Sequence, residues 1–179
     1  MKLKKYMASL LTLVLTAAVL FGVSSVLRPV AAKNEQKERE KIMALLLPGG
    51  ETFTEEAYEG EDANITAVFK SETGYVIETT VTGYVDSIKM FVGVNNEGSV
   101  TGTMVLEMAE TSGLGQRAMT DMTFLSQFVG TKGEAELGTN VAALSGATVT
   151  SKAVVKAVNS AAAFVTGAAV SSGATEWEG

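Results

Sequence analysis

The sequence predicts an α+β domain exported behind a single N-terminal membrane span. Three observations carry that prediction. Tyr6 to Leu27 contains no charged residue over 22 positions. Residues 65 to 106 fall into short runs rich in β-branched and aromatic side chains, the composition of strands. Lys152 to Val165 is a stretch of small residues whose apolar positions recur at helical spacing.

The first segment sets the topology. Its 22 residues, at about 1.5 Å rise each, reach about 33 Å as a helix, enough to cross a hydrocarbon core. Lys2, Lys4 and Lys5 precede it, so the positive-inside rule places residues 1–5 in the cytoplasm, a span over 6–27 and the remainder outside. The competing reading is a cleavable signal peptide with Val30-Ala31-Ala32 as the peptidase site, and both readings export the domain. Taking those three lysines from the 14 basic residues leaves 11 against 20 acidic ones, a net charge of −9 for the exported part. Such a domain is a poor binder of nucleic acid.

Residues 28–50 are read as a stalk helix and linker. Lys33 to Lys41 are good helix formers with a solvated charged face, Ile42 to Leu47 add an apolar patch that docks on the domain, and Pro48-Gly49-Gly50 stops the helix. The domain proper is expected over 51–167. Strands are predicted at Ile65–Phe69, Tyr75–Val81, Ile88–Val94 and Val100–Leu106, with Asn95-Asn96-Glu97-Gly98 as a hairpin turn, giving an antiparallel sheet. Ala118 to Val129 carries Met119, Met122, Leu125 and Phe128 at spacings of three and reads as one helix crossing the sheet. A glycine-containing loop, Thr131 to Thr139, follows it. The final helix presents Val154, Val158, Ala161 and Val165 to the sheet. Residues 168–179 read as a flexible tail.

Composition narrows the chemistry. There is no Cys and no His, which removes disulfides, iron–sulfur ligation, c-type haem attachment and the usual transition-metal ligand and general base. No metal site and no catalytic residue is assigned.

One segment remains with chemistry to offer. Ser145-Gly146-Ala147-Thr148-Val149-Thr150-Ser151 leads into the last helix. A helix start leaves backbone N–H groups unpartnered and carries partial positive charge, which suits a phosphate diester. Gly146 and Ala147 allow close backbone approach, Thr148 offers a hydroxyl, and Thr150 or Ser151 is expected to cap the helix. Lys152 and Lys156 would add positive charge. On these residues alone, an ordinary capped amphipathic helix after a turn is the favoured reading.

This segment resembles the attachment site of the FMN-binding domain family, in which a threonine hydroxyl carries FMN through a phosphoester bond. The likeness extends along the chain through Leu47-Pro48-Gly49, Gly83-Tyr84, Glu110-Thr111-Ser112-Gly113-Leu114-Gly115, Phe124-Leu125-Ser126-Gln127-Phe128 and Ala157-Val158-Asn159. In that order the motifs resemble the G subunit of Rnf ion-translocating electron-transport complexes. The resemblance implies an electron-carrying subunit, not catalytic alone, of a membrane ferredoxin:NAD oxidoreductase, single-pass, with its domain outside the cell membrane. It further implies covalent FMN on Thr148, other membrane subunits of the complex as partners, and a flavin transferase that attaches the cofactor. Around the flavin it places Ser145, Gly146, Ala147, Thr150 and Ser151 with the loop Glu110, Thr111, Gly113, Leu114 and Gly115. The alternatives are an FMN domain of another electron-transfer system, such as the C subunit of sodium-translocating NADH:quinone oxidoreductase, and a cofactor-free module of the same fold. The chain departs from the family at Ser112, usually Pro, at Met108, usually His, and at Ala142, where the transferase usually meets Asp. Ser172-Gly173-Ala174-Thr175 repeats the tetrapeptide, but Glu176-Trp177-Glu178 follows it in place of a helix, so Thr175 ranks far below Thr148.

Overall fold

Alternating β-branched and aromatic residues build a five-stranded antiparallel meander, with strand order β1-β2-β3-β4-β5. The strands are β1 (Thr54–Glu56), β2 (Ile65–Ser71), β3 (Gly74–Thr82), β4 (Ser87–Asn95) and β5 (Val100–Met108). The computed structural model describes residues 33–168 and the isolated positions 13, 15–17, 19 and 21. The chain divides into two compact units, Met1–Lys41 and Ile42–Gly179.

In the first unit the described positions from 13 to 21 are helical, and Leu13, Leu15, Val19 and Phe21 are all exposed. Among the described residues no helix is long and apolar enough to cross a membrane. Most of the predicted span Tyr6–Leu27 lies outside the described residues, as does Thr175. Residues 33–46 are helical (α1). Within the first unit its side chains are solvated, with Lys41 pairing with Glu38 at 2.7 Å.

The second unit places a core on each face of the sheet. Successive strand residues point to opposite faces, so Ile77, Val81, Met90, Val92 and Val105 face one core while Phe69, Val76 and Phe91 face the other. The first core is covered by α3 (Thr148–Thr166), whose Val154, Val155, Ala157, Val158, Ala161 and Ala162 are buried. Val165 packs at its edge. The helix ends on Gly167 at φ +68°, a left-handed cap that only glycine adopts without strain. The second core takes Met43 and Leu46 from the end of α1 and Leu47 just after it. That approach requires glycine at 93 and 102, paired across β4 and β5. A Cβ on Gly93 would collide with the Leu46 carbonyl, and one on Gly102 would sit 3.2 Å from Leu46 Cα. Thr101 Oγ1 donates to the Leu46 carbonyl at 2.5 Å and completes the junction.

Three expectations change. The short edge strand β1, paired antiparallel to β2, has no counterpart in the predicted strands. All three of its residues are exposed, so it lacks the period-two signal that burial imposes. The predicted helix Ala118–Val129 is broken into a 3-10 turn (Gly115–Met119), α2 (Met122–Leu125) and a second 3-10 turn (Ser126–Phe128). Asp121 restarts the chain by accepting the Phe124 N–H at 3.1 Å, a cap in the middle of the expected helix. Met122, placed on the apolar face by its spacing, is 68% exposed. The third change is that α3 begins at Thr148, four residues before the expected Lys152.

Candidate functional site

The early start of α3 reshapes the segment read as the attachment site. Gly146 turns the chain at φ +76°, a conformation that favours glycine. Ala147 then occupies the cap position and provides no side-chain acceptor. Neither Thr150 nor Ser151 caps the helix, since both lie within it and are buried. Ser151 acts backwards instead. Its Oγ donates to the Ala147 carbonyl at 2.9 Å and accepts the Leu144 N–H at 3.0 Å, which staples the turn that precedes the helix.

Thr148 is thereby the first helical residue and is exposed. A cleft of about 410 Å³ opens beside it, lined by Gly146 to Thr150, by Glu110, Thr111, Leu114 and Gly115, and by Tyr84. The structure therefore brings together Thr148, Gly146, Ala147, Thr150, Glu110, Thr111, Leu114 and Gly115 of the expected set. It does not bring in three others. Ser145 lines a neighbouring cleft with Arg117, Gln127 and Ala142, and Ser151 is interior. Gly113 forms the tip of the 110–115 loop at φ +76° with open space around it.

Two lining residues were given no role by the sequence, Tyr84 and Val149. Tyr84 stands in the motif Gly83-Tyr84, and an aromatic beside a glycine between two strands is a signal that points to a loop contact. Val149 carries no such signal, because its β-branched side chain reads as core.

Electrostatics favour an anion at the helix start. No acidic residue lies in the first turn of α3, and the uncapped amides there carry the positive end of the helix dipole. The carboxylate that lines the same cleft, Glu110, is already occupied. Its Oε1 accepts the N–H groups of Tyr84 at 2.9 Å and Val85 at 3.0 Å, and its Oε2 accepts the Thr150 hydroxyl at 2.8 Å. Lys152 is exposed one helical turn beyond Thr148 but does not line the cleft.

Comparison with known proteins matches residues 83–163 to the FMN-binding domain family. That stretch resembles an FMN-binding domain. It runs from the glycine before Tyr84 through both walls of the cleft and most of α3. Over 168 residues the chain is 29% identical to the G subunit of the proton-translocating ferredoxin:NAD(+) oxidoreductase complex of Clostridium ljungdahlii, covering 87% of each protein. It is 34% identical to the G subunit of the Na(+)-translocating ferredoxin:NAD(+) oxidoreductase complex of Acetobacterium woodii over 95 residues, 48% of this chain and 46% of that protein. With the G subunit of the ion-translocating oxidoreductase complex of Methanosarcina acetivorans it shares 35% identity over 113 residues, 60% and 57% respectively.

The cleft fits FMN on its own geometry. Its volume falls in the range of small-molecule sites. Gly146 keeps its floor low, since a Cβ there would come within 3.0 Å of Leu114. The helix start provides amides for a phosphate, while Tyr84, Leu114 and Val149 provide apolar surface for a flat ring.

Proposed function

We propose that this chain is the electron-carrying G subunit of an ion-translocating ferredoxin:NAD oxidoreductase, with FMN held covalently on Thr148 of an extracytoplasmic domain. One observation carries the reading: an exposed threonine hydroxyl at the first position of an uncapped helix, on the wall of a cleft of flavin size. The FMN-binding domain and the relatives among G subunits support it.

In this reading FMN supplies the electron chemistry, and the protein supplies position and electrostatics. Thr148 Oγ1 would hold FMN through a phosphoester, made with the transferase by displacing a leaving group from the flavin phosphorus, the hydroxyl proton passing to that leaving group. The first-turn amides of α3 stabilise the charge that remains on the diester. Gly146 brings the backbone close to that phosphate. Leu114 and Tyr84 would offer apolar surface to the ring. No side chain here acts as acid or base, so the protein carries electrons without catalysing a reaction alone. A flavin transferase installs the cofactor, and the polytopic partners of the complex move the ion, because the predicted single span contains no charged residue to make a pathway.

Intact mass and denaturing-gel fluorescence of the chain co-expressed with a flavin transferase test the attachment. The native protein should carry one FMN adduct and Thr148→Ala none. An adduct of undiminished yield in Thr148→Ala would place the link elsewhere and remove the basis of the mechanism.

A further inference from the structure

The resemblance places Glu110 next to the flavin, yet both of its carboxylate oxygens are engaged by protein donors. It is 8% exposed. The donors come from segments distant in sequence: the Tyr84 and Val85 amides lie 26 and 25 residues before it, and Thr150 lies 40 residues after it. Thr150 is itself 2% exposed. Two glycines leave room for the carboxylate. A Cβ on Gly83 would collide with Oε1, and one on Gly115 would lie 2.7 Å from Oε2 and 2.6 Å from the Thr150 hydroxyl. Three pieces of chain therefore meet at this one side chain: the loop between β3 and β4, the 110–115 loop that carries it out of β5, and the first turn of α3.

The loop between β3 and β4 has few other restraints. Its internal closure is the Gly83 N–H to the Asp86 carbonyl at 2.8 Å. At its tip Tyr84 is 70% exposed and Val85 61% exposed, although Tyr84 lines the cleft. An aromatic side chain on the wall of a cleft offers a face on which a flat conjugated ring can stack. An exposed loop holds such a ring in register only if its backbone is fixed, and the backbone amide of Tyr84 itself is bound by Glu110.

We propose that Glu110 is a positioning residue, whose buried carboxylate latches the Tyr84–Val85 loop to the start of α3 and so holds Tyr84 against the isoalloxazine ring of the FMN carried by Thr148. The proposal rests on the FMN reading given above. It assigns Glu110 no contact with the flavin. The contact belongs to Tyr84, and the distance between Tyr84 and Thr148 is set by the carboxylate that both segments share.

The test uses the full chain, without and with FMN, in four variants: Glu110→Ala, Glu110→Gln, Tyr84→Leu and the double Glu110→Ala/Tyr84→Leu. In the FMN-free protein, amide hydrogen exchange at Tyr84 and Val85 should accelerate about tenfold to a hundredfold in Glu110→Ala, the loss of one charge-assisted bond at each amide. Glu110→Gln should stay near the native rate. Its carbonyl oxygen still accepts both amides, and its side-chain NH₂ donates to the Thr150 oxygen. In the FMN-loaded protein, a tyrosine stacked on the flavin quenches its fluorescence. Emission should therefore rise in Tyr84→Leu, rise to the same level in Glu110→Ala, rise no further in the double variant and remain low in Glu110→Gln. Unchanged exchange in Glu110→Ala overturns the latch. Unchanged emission in Tyr84→Leu, or additive increases in the double variant, overturns the link between latch and flavin. If Glu110→Ala does not fold, Glu110→Asp shortens the same arm and is read by the same two measurements. If the native chain takes up no FMN mass, the functional reading fails, and the exchange arm, which needs no flavin, still decides the latch.

Discussion

Thr150→Val isolates the bond that ties α3 to the latch. The substitution keeps the shape of the side chain and removes the hydroxyl that donates to Glu110 Oε2 at 2.8 Å. Both groups are nearly inaccessible to water, at 2% and 8% exposure, so no solvent molecule replaces the lost donor. A hydrogen bond to a charged group contributes about 1.5–3 kcal/mol, and a buried acceptor left unmet costs a similar amount. For a folded unit of roughly 130 residues, an unfolding entropy of about 2.1 cal/mol/K per residue converts each kcal/mol into about 4 °C. Thr150→Val should therefore lower Tm by about 6–11 °C. Thr150→Ser keeps the hydroxyl and loses one buried methyl, about 0.8 kcal/mol or about 3 °C. Thermal unfolding of the purified chain, followed by circular dichroism, separates the two. A Val variant melting within about 2 °C of the native chain, or a Ser variant falling as far as the Val variant, would refute the reasoning.

Two other outcomes are expected. Ala142 is exposed, and its backbone is already held on both sides by Gln127, whose Oε1 accepts the Ala142 N–H at 2.7 Å and whose Nε2 donates to the Ala142 carbonyl at 3.3 Å. Ala142→Asp should thus change stability by less than about 0.5 kcal/mol and raise the fraction of chain carrying FMN after limiting exposure to transferase, read by intact mass. A fraction that stays level or falls would show that this position does not limit modification. For the topology, protease added to intact spheroplasts should digest the chain beyond Leu27 while the undigested protein remains with the membrane. Release of soluble protein beginning at Lys33 would establish the signal-peptide reading in its place.

Much of the sheet was legible in the chain because burial on both faces leaves a strong pattern. Val76 and Ile77 point into different cores, and so do Phe91 and Val92, so the strands read as nearly continuous runs of β-branched and aromatic residues. The hairpin between β4 and β5 was legible for a local reason. Asn95 Oδ1 accepts the Glu97 and Ser99 N–H groups, and Gly98 takes φ +79°, both properties of the residue types themselves. The segment 118–129 was misread because Met119, Met122, Leu125 and Phe128 carry helical spacing that outweighed the local cap signal of Asp121, while the bond from Thr103 Oγ1 to the Leu125 carbonyl comes from tertiary placement.

By itself the sequence determined the fold class and the absence of cysteine and histidine chemistry. Both follow from residue type and from period along one stretch of chain. Tertiary structure decided what each polar group near Thr148 is for. Thr150 and Ser151 look like caps in a linear reading, because nothing in the chain says that α3 begins before them or that their hydroxyls meet Glu110, Ala147 and Leu144. Glu110 looks like a ligand until the amides of Tyr84 and Val85 are brought to it across the ends of the sheet. A hydrogen bond satisfies one donor with one acceptor, and which acceptor is free for a ligand is settled only when distant segments have been packed together.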